Sequence, residues 1–213
     1  VLYVGGNFDS AGGNPAPRIA TWNGSTWGTL GTGTSGFVQA ILVRPNYIYA
    51  GGNFSIAGSE TVNRIARWNR SSSAWESLDF GLSGNVNALA HDGTYLYAGG
   101  SFETASDQVD VNKIMDNIAR WSEANGWEAL GTNTDVGVST GVNSISFSND
   151  NSELCVGGNF SGAGAINADN VAIWRDSNGC VSFSITPQYV INGVEDSGDN
   201  TVEVTEGDTF TLG

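Results

Sequence analysis

Short apolar stretches alternate with polar turns along most of this chain of 213 residues. One clear series comprises residues 38–43, 47–50, 64–68 and 74–78, and the segments between them are rich in Gly, Pro, Asn and Ser. Stretches of this length, bounded by such residues, are typical of β-strands joined by tight turns. The pattern therefore predicts four short antiparallel strands in this part of the chain.

The same series returns four times, each time with a diglycine after the second stretch and a tryptophan at the end of the third. The diglycines are Gly5-Gly6, Gly51-Gly52, Gly99-Gly100 and Gly157-Gly158, and the tryptophans are Trp22, Trp68, Trp121 and Trp174. Self-similarity at a period of about 50 residues is typical of repeat architectures. We therefore expect the shared residues to build the repeat, and function to lie where the repeats differ.

Four short antiparallel strands, repeated around a ring, make a β-propeller. The sequence thus predicts an all-β fold in which residues 1–183 form about four four-stranded blades. The first repeat begins at the segment that is the second strand of the other repeats. Its blade is therefore expected to be incomplete and to belong to a larger ring. An open blade edge is also a candidate surface for self-association.

The paired glycines end the second predicted strand of every repeat. Because glycine has no Cβ, another group can approach the backbone closely at such positions. We expect the approaching group to be a tryptophan ring from a neighbouring strand or blade, since each repeat supplies one or two.

The diglycine and a pair of tryptophans that bracket a hairpin resemble the kelch repeat. The pairs are Trp22/Trp27, Trp68/Trp75 and Trp121/Trp127. The longer strings G-G-N-F-x-x-A-G and I-A-x-W-N-G-x-x-W-x-x-L-G are similar to kelch-like repeats of large secreted and surface proteins of bacteria, and to fungal cortical polarity-marker propellers. The resemblance covers residues 1–183 and implies an adhesion module, a scaffold or, in some relatives, an enzyme.

Residues 184–213 do not continue the repeat. Residues 201–212 alternate like the strands of a β-sandwich, and the string E-G-D-T-F-T-L resembles the second strand of immunoglobulin-like modules. We expect this segment to contain a linker and the first strands of an immunoglobulin-like domain.

The composition argues against several classes of function. The formal net charge of −14 repels phosphate backbones, so we expect no nucleic-acid partner. No apolar run is long enough to cross a membrane, so no membrane insertion is expected. The acidic, lysine-poor composition suits extracellular or saline surroundings, or serves solubility alone.

The sequence offers little for catalysis. Its one histidine, His91, lies in the predicted turn His-Asp-Gly-Thr, and none of the familiar metal, nucleotide or nucleophile motifs is present. Galactose oxidase shares the kelch propeller, but its copper site needs two histidines, which this chain does not have. We therefore predict a protein that is not an enzyme.

The third repeat departs most from the others. Its loop between the second and third strands, residues 107–116, makes the spacing from diglycine to tryptophan five residues longer, and the next connection, residues 132–140, is also enlarged. Both segments should emerge on one face of a propeller, where they would form a binding surface. Surface insertions are also tolerated at little cost, which leaves a neutral explanation open.

Four carboxylates in these two segments are the candidate ligand-binding residues: Asp107, Asp110, Asp116 and Asp135. They could bind sugar hydroxyls or a hard cation such as calcium. Their spacing matches no EF-hand loop, so we predict no cofactor and keep calcium as the single candidate.

Together these features predict a non-catalytic interaction or adhesion module of a longer protein, at an extracellular, cell or virion surface, with a protein or glycan partner. Two alternatives remain open. One is a structural subunit of a surface filament or virus particle. The other is a carbohydrate-binding or glycan-active propeller whose catalytic residues lie outside this fragment.

Overall fold

The computed structural model describes residues 1–106, 112–132 and 135–175, together with the short strands at 183–184, 188–189 and 203–204. Every regular element in these ranges is a β-strand. The described residues accordingly include no helix that could span a membrane. Four sheets of three or four strands follow one another along the chain, which confirms the all-β fold class.

The main sheet of the first blade has three strands. The blade contains β1 (Leu2–Gly5), β2 (Ser10–Ala11), β3 (Asn14–Pro15), β4 (Ile19–Trp22) and β5 (Trp27–Gly28). The sheet has the order β1-β4-β5, and β2 and β3 form a separate hairpin. Within the described residues β1 pairs only with β4, so one side of β1 is open. The predicted lack of one strand in this blade is confirmed.

The second and third blades are complete. The second contains β6 (Phe37–Val43), β7 (Tyr47–Asn53), β8 (Ile56–Ala57), β9 (Glu60–Thr61), β10 (Ile65–Asn69) and β11 (Ala74–Ser77). The third contains β12 (Asn85–His91), β13 (Leu96–Ser101), β14 (Thr104–Ala105), β15 (Lys113–Ile114), β16 (Ile118–Ser122) and β17 (Gly126–Ala129). Each is an antiparallel sheet of four strands in chain order, with the two shortest strands set apart as a hairpin.

The fourth blade repeats this plan after a short connecting hairpin. The connection contains β18 (Gly131–Thr132) and β19 (Asp135–Val136), and the blade contains β20 (Val142–Phe147), β21 (Glu153–Gly158), β22 (Gly162–Ala163), β23 (Ile166–Asn167), β24 (Val171–Arg175) and β25 (Phe183–Ser184). In the last segment β26 (Gln188–Tyr189) pairs in parallel with β27 (Glu203–Val204). Because β25 spans the predicted boundary, the division into residues 1–183 and 184–213 stays a prediction.

The first strands of neighbouring blades lie side by side. On β6 the side chain of Gln39 donates a hydrogen bond to Oδ1 of Asn87 on β12 at 3.1 Å. Asn87 in turn donates to the carbonyl of Val142 on β20 at 2.9 Å. Gln39 and Asn87 are the residues at which the strand register skips, as in a β-bulge that re-aims a side chain. These strands therefore form the inner wall of the ring.

The hydrophobic cores lie between blades, since each cluster combines residues of two adjacent sheets. Tryptophans of the fourth strands connect the blades. The indole N–H of Trp75 donates to the carbonyl of Leu30 in the first blade at 3.0 Å, and that of Trp127 donates to Leu78 in the second at 3.1 Å. The recurring W-x-x-L string thus supplies both partners of the contact between neighbouring blades: its tryptophan donates to the preceding blade, and its leucine carbonyl accepts from the following one.

The diglycines serve a different purpose from the one predicted. A Cβ on Gly51 would lie 2.5 Å from Cγ1 of Val86, on the first strand of the next blade. A Cβ on Gly52 would lie 2.0 Å from the carbonyl oxygen of Phe37, on the first strand of its own blade. The expectation of a tryptophan ring at these positions is wrong, because inner strands fill the space on both sides. Tryptophan rings pack instead against isolated glycines such as Gly58, where a Cβ would lie 2.9 Å from Cδ1 of Trp75.

The two faces of the ring carry different connections. The loop face consists of the hairpins β8–β9, β14–β15 and β22–β23 together with the connections between blades. Each connection pairs with the hairpin of the blade that it enters, through the bridges Thr34↔Ala57, Leu82↔Ala105 and Val138↔Ala163. The turn face consists of the tight turns that join the first strand to the second and the third strand to the fourth.

Candidate functional site

The predicted site lies on the loop face, where the third blade meets the fourth. The backbone N–H of Val138, in the connection, donates to the carbonyl of Asp116 at 2.8 Å. The side chain of Asn117 donates to the carbonyl of Val138 at 2.9 Å. The end of the enlarged loop and the end of the enlarged connection are therefore in direct contact.

Two of the four candidate aspartates, Asp116 and Asp135, belong to the described residues. Asp107 and Asp110 lie outside the described residues. Asp135 belongs to β19, where its backbone pairs with Thr132. Asp116 follows β15 in a left-handed conformation, with a φ of 44°. Only Asp116 can therefore be assigned to a described pocket.

That pocket has a volume of about 510 Å³. Its lining consists of hydroxyl, carboxylate and amide side chains with one isoleucine and one glycine: Ser101, Glu103, Thr104, Ile114, Asp116, Asn117, Ser139, Thr140 and Gly141. Partial burial raises the pKa of Asp116, and the charge of Glu103 adds to the rise. Hydroxyl and carboxylate groups of this kind can accept and donate hydrogen bonds to a polyhydroxyl ligand.

Metal binding finds no further support among the described side chains. They contain no group of three or more His, Cys, Asp or Glu residues placed to hold a metal ion. Calcium binding therefore stays a prediction.

A second pocket, of about 280 Å³, lies on the turn face between the second and third blades. Arg67 on β10 is its central charged group, with Nε 2.8 Å from Oε2 of Glu76 and Nη1 bonded to the carboxylate of Glu123. Its guanidinium carbon lies 4.3 Å from the ring centre of Tyr47 and 5.3 Å from that of Trp121. These acids and rings, drawn from both blades, hold the Arg67 side chain in place.

The family of the chain follows from its match to the Rax2 C-terminal beta propeller domain, which covers residues 28–141. The chain belongs to this family. The matched segment includes the second and third blades and both pockets. Among curated proteins, none matches the chain.

Family membership bears on the sequence predictions in different degrees. It confirms the β-propeller part of the sequence resemblance. The finer kelch-like assignment and the immunoglobulin-like segment within residues 184–213 remain predictions.

His91 has a position in this propeller that sequence reasoning missed. It lines the turn-face pocket, where its Nδ1 accepts the backbone N–H of Gly93 at 2.8 Å and its ring centre lies 6.4 Å from that of Tyr49. Burial lowers the pKa of His91, and the nearby Arg44 lowers it further. A comparison of the repeats indicates this position. The last residue of the first strand is Val43 in the second blade, His91 in the third and Phe147 in the fourth, so an apolar side chain is replaced by histidine in the third blade alone among these three.

Exposed apolar side chains on the loop face are a second feature that sequence reasoning missed. Ile56, Phe80 and Ile114 have exposed fractions of 45%, 53% and 64%. Ile56 and Ile114 lie on hairpin strands of two residues, and Phe80 lies in the connection between the second and third blades. Alternation over so few residues does not indicate which side chain faces solvent.

Proposed function

We propose that this propeller is a non-catalytic interaction module of a cell or particle surface, and that it binds a protein partner through the loop face. The observation that carries the proposal is the presence of three exposed apolar side chains on that face, those of Ile56, Phe80 and Ile114. Exposed apolar side chains grouped on one face, with polar groups around them, mark interaction surfaces in soluble proteins.

The Asp116 pocket extends this surface. Its polar lining sits beside the exposed Ile114, so an apolar contact and a hydrogen-bonding site adjoin. Such a combination suits a protein that presents a glycan or a polar side chain next to an apolar patch. Asp107, Asp110, Asp116 and Asp135 are the carboxylates that we assign to ligand contact.

The non-catalytic assignment rests on the partners that Arg67 and His91 already have in the second pocket. Arg67 is paired with two carboxylates, and one ring nitrogen of His91 is used by the backbone of its own turn. A catalytic base or nucleophile needs a neighbouring group that orients it toward substrate. The surface location follows from the resemblance to cortical polarity-marker and bacterial surface propellers.

Site-specific photo-crosslinking in the cells that produce the protein tests the use of the loop face. A photoreactive phenylalanine analogue replaces Ile114 or Phe80 in the full-length protein, and Val43 serves as the matched control. Val43 is also apolar and 49% exposed, but it adjoins the turn face. We expect adducts with a surface component at Ile114 and Phe80, several-fold above those at Val43. Equal adducts at the three positions, or more at Val43, would contradict the proposal.

The carboxylates are tested by replacing Asp107, Asp110, Asp116 and Asp135 together with alanine. Asp169 in the fourth blade provides the control, because it precedes a left-handed asparagine just as Asp116 does. We expect loss of binding to the producing cells from the fourfold variant and none from Asp169→Ala. The substitutions of Asp107, Asp110 and Asp135 should each change the free energy of unfolding by about 0.5 kcal/mol or less. Asp116→Ala should cost about 1 kcal/mol, because Asp116 has a left-handed backbone. Unchanged binding by the fourfold variant would remove these carboxylates from the proposal.

A further inference from the structure

Two arginines and one glutamate line the turn-face pocket between the second and third blades, on a protein that is acidic as a whole. The chain has 8 basic and 22 acidic residues. Arg44 and Arg67 line the pocket, and Arg70 donates from Nη1 to the carbonyl of Pro45, another lining residue, at 3.0 Å. Two of the basic residues therefore line one opening, and a third contacts a residue of its lining.

Arg44 differs from Arg67 in its partners. Arg67 is bonded to Glu76 and Glu123, which offset its charge. Arg44 is half-buried, and within the described residues its guanidinium has no ion pair or side-chain hydrogen bond. A half-buried guanidinium has lost part of its hydration and gains most from a bound oxyanion.

The other groups of the pocket suit a small polar ligand. His91 uses Nδ1 as an acceptor for Gly93, so in the neutral ring Nε2 carries the proton and can donate. Thr94, Asn46 and Ser122 also line the pocket, and its volume of about 280 Å³ accommodates one sugar ring. The lining therefore offers several donors and acceptors around one unpaired cation.

The repeat itself does not require these residues. Arg44 and Asp92 hold equivalent positions, because each backbone N–H donates to a tyrosine carbonyl across the same turn. At the next junction the residues corresponding to Arg44 and His91 are thus Asp92 and Phe147. The basic character belongs to this one pocket and not to the scaffold.

We propose that the turn-face pocket binds an acidic monosaccharide. Its carboxylate or phosphate group pairs with Arg44, and its hydroxyls lie against His91, Thr94 and Ser122. This site lies on the face opposite the loop face, so it can be tested independently of the protein partner proposed above.

The chain has a single histidine. The one histidine Hε1 signal in its NMR spectrum therefore belongs to His91, which makes a direct test possible. The charges that act on His91 are Arg44, which lowers its pKa, and Asp92, which raises it. Tyr49 packs against the ring, and Arg67 and Glu123 line the same pocket. An added anion near the ring favours the imidazolium ion, so binding should raise the pKa of His91 by about one unit.

The experiment titrates the His91 signal with glucuronate, glucose 6-phosphate, glucose and inorganic phosphate, at constant ionic strength. We expect a saturable shift of the signal and a raised His91 pKa with one or both acidic sugars. The sugar that binds more tightly identifies the preferred acid group, carboxylate or phosphate. The shift should be lost in Arg44→Gln and kept in Arg18→Gln, an arginine of the first blade paired with Asp9. An equal response to glucose or to inorganic phosphate, no response to either acidic sugar, or an unchanged response in Arg44→Gln would overturn the proposal.

Discussion

The junction between the second and third blades and the junction between the third and fourth share one framework. In both, an aromatic ring of one blade packs on the end of the next blade's first strand, Tyr49 on His91 and Tyr97 on Phe147, with ring centres 6.4 and 5.0 Å apart. In both, a glycine lies against a valine of the next blade, Gly51 or Gly99. The junctions differ in polar groups, and only the first has a described basic pocket.

This comparison shows how a repeat protein separates architecture from function. Glycines, valines and tryptophans recur because the ring needs them at every junction. A pocket with its own chemistry then requires only a few changes at positions where the repeat tolerates several side chains, such as the strand end held by Val43, His91 or Phe147.

The largest expected effect concerns the tryptophan that joins the second and third blades. Trp127 is fully buried and bonded to Leu78. Removing such a side chain costs about 3–5 kcal/mol through lost burial and the cavity left behind. We expect Trp127→Ala to lower the free energy of unfolding by that amount, measured by urea denaturation.

Trp27 in the first blade is the matched control. It has the same place in its repeat, but it is only half-buried, and no described blade precedes it to supply a carbonyl. Trp27→Ala should therefore cost clearly less than Trp127→Ala. Equal losses would mean that contacts between blades are not the main contribution of these tryptophans.

The second expected effect tests whether the two junctions really share a framework. A Cβ on Gly51 or on Gly99 would lie 2.5 Å from a valine Cγ1, in each case on the next blade. Overpacking of this kind costs about 1–3 kcal/mol. Gly51→Ala and Gly99→Ala should lower the urea midpoint to a similar extent. A large difference between the two variants would show that one junction is more adaptable than the other.

The third expected effect concerns the ion pairs of Arg67 at the first junction, with Glu76 and Glu123. Arg67 has an 11% exposed side chain, whereas that of its partner Glu123 is 67% exposed. Arg67→Met leaves the partly buried Glu76 without its cation, although Asn69 still donates to Glu76 Oε1 at 2.8 Å. The substitution should therefore cost about 2 kcal/mol, between the values for buried and exposed pairs. Glu123→Gln should cost less than about 1 kcal/mol. The reverse order in thermal unfolding would contradict this account of the pocket.

The sequence predicts those features of the fold that the recurring repeat determines. Four blades, the missing strand and the contact between residues at Asp116 and Val138 all follow from strand order and from where propeller connections emerge. The role of the diglycines was predicted wrongly, because it depends on Val86 and Phe37, which only the ring brings opposite Gly51 and Gly52. The sequence predicts His91 to be a turn residue, whereas it ends β12 and faces Tyr49 of the second blade. The pattern along one strand does not reveal the neighbouring blade.

The smallest expected effect is the pH dependence that His91 adds to the first junction. Its pKa is lowered in the folded protein, by burial and by Arg44, from about 6.5 in the unfolded chain. Between these two values the unfolded chain binds more protons, so this histidine makes stability fall as the pH decreases below about 6.5. At pH 8 the imidazole is neutral in both states, and the contribution vanishes.

Phenylalanine at this position, as at Phe147 in the fourth blade, removes the titrating group and keeps an aromatic ring against Tyr49. At pH 8, His91→Phe should change the free energy of unfolding by less than about 1.5 kcal/mol. Below pH 6.5 the variant should gain stability relative to the natural chain, and the gain should level off once His91 is protonated in both states. Urea denaturation of both proteins between pH 5 and 8 measures the difference, in which the carboxylates common to the two chains cancel. A difference that does not vary with pH would mean that the first junction accepts a charged ring as readily as a neutral one, and the basic pocket would then exert no electrostatic effect on its own histidine.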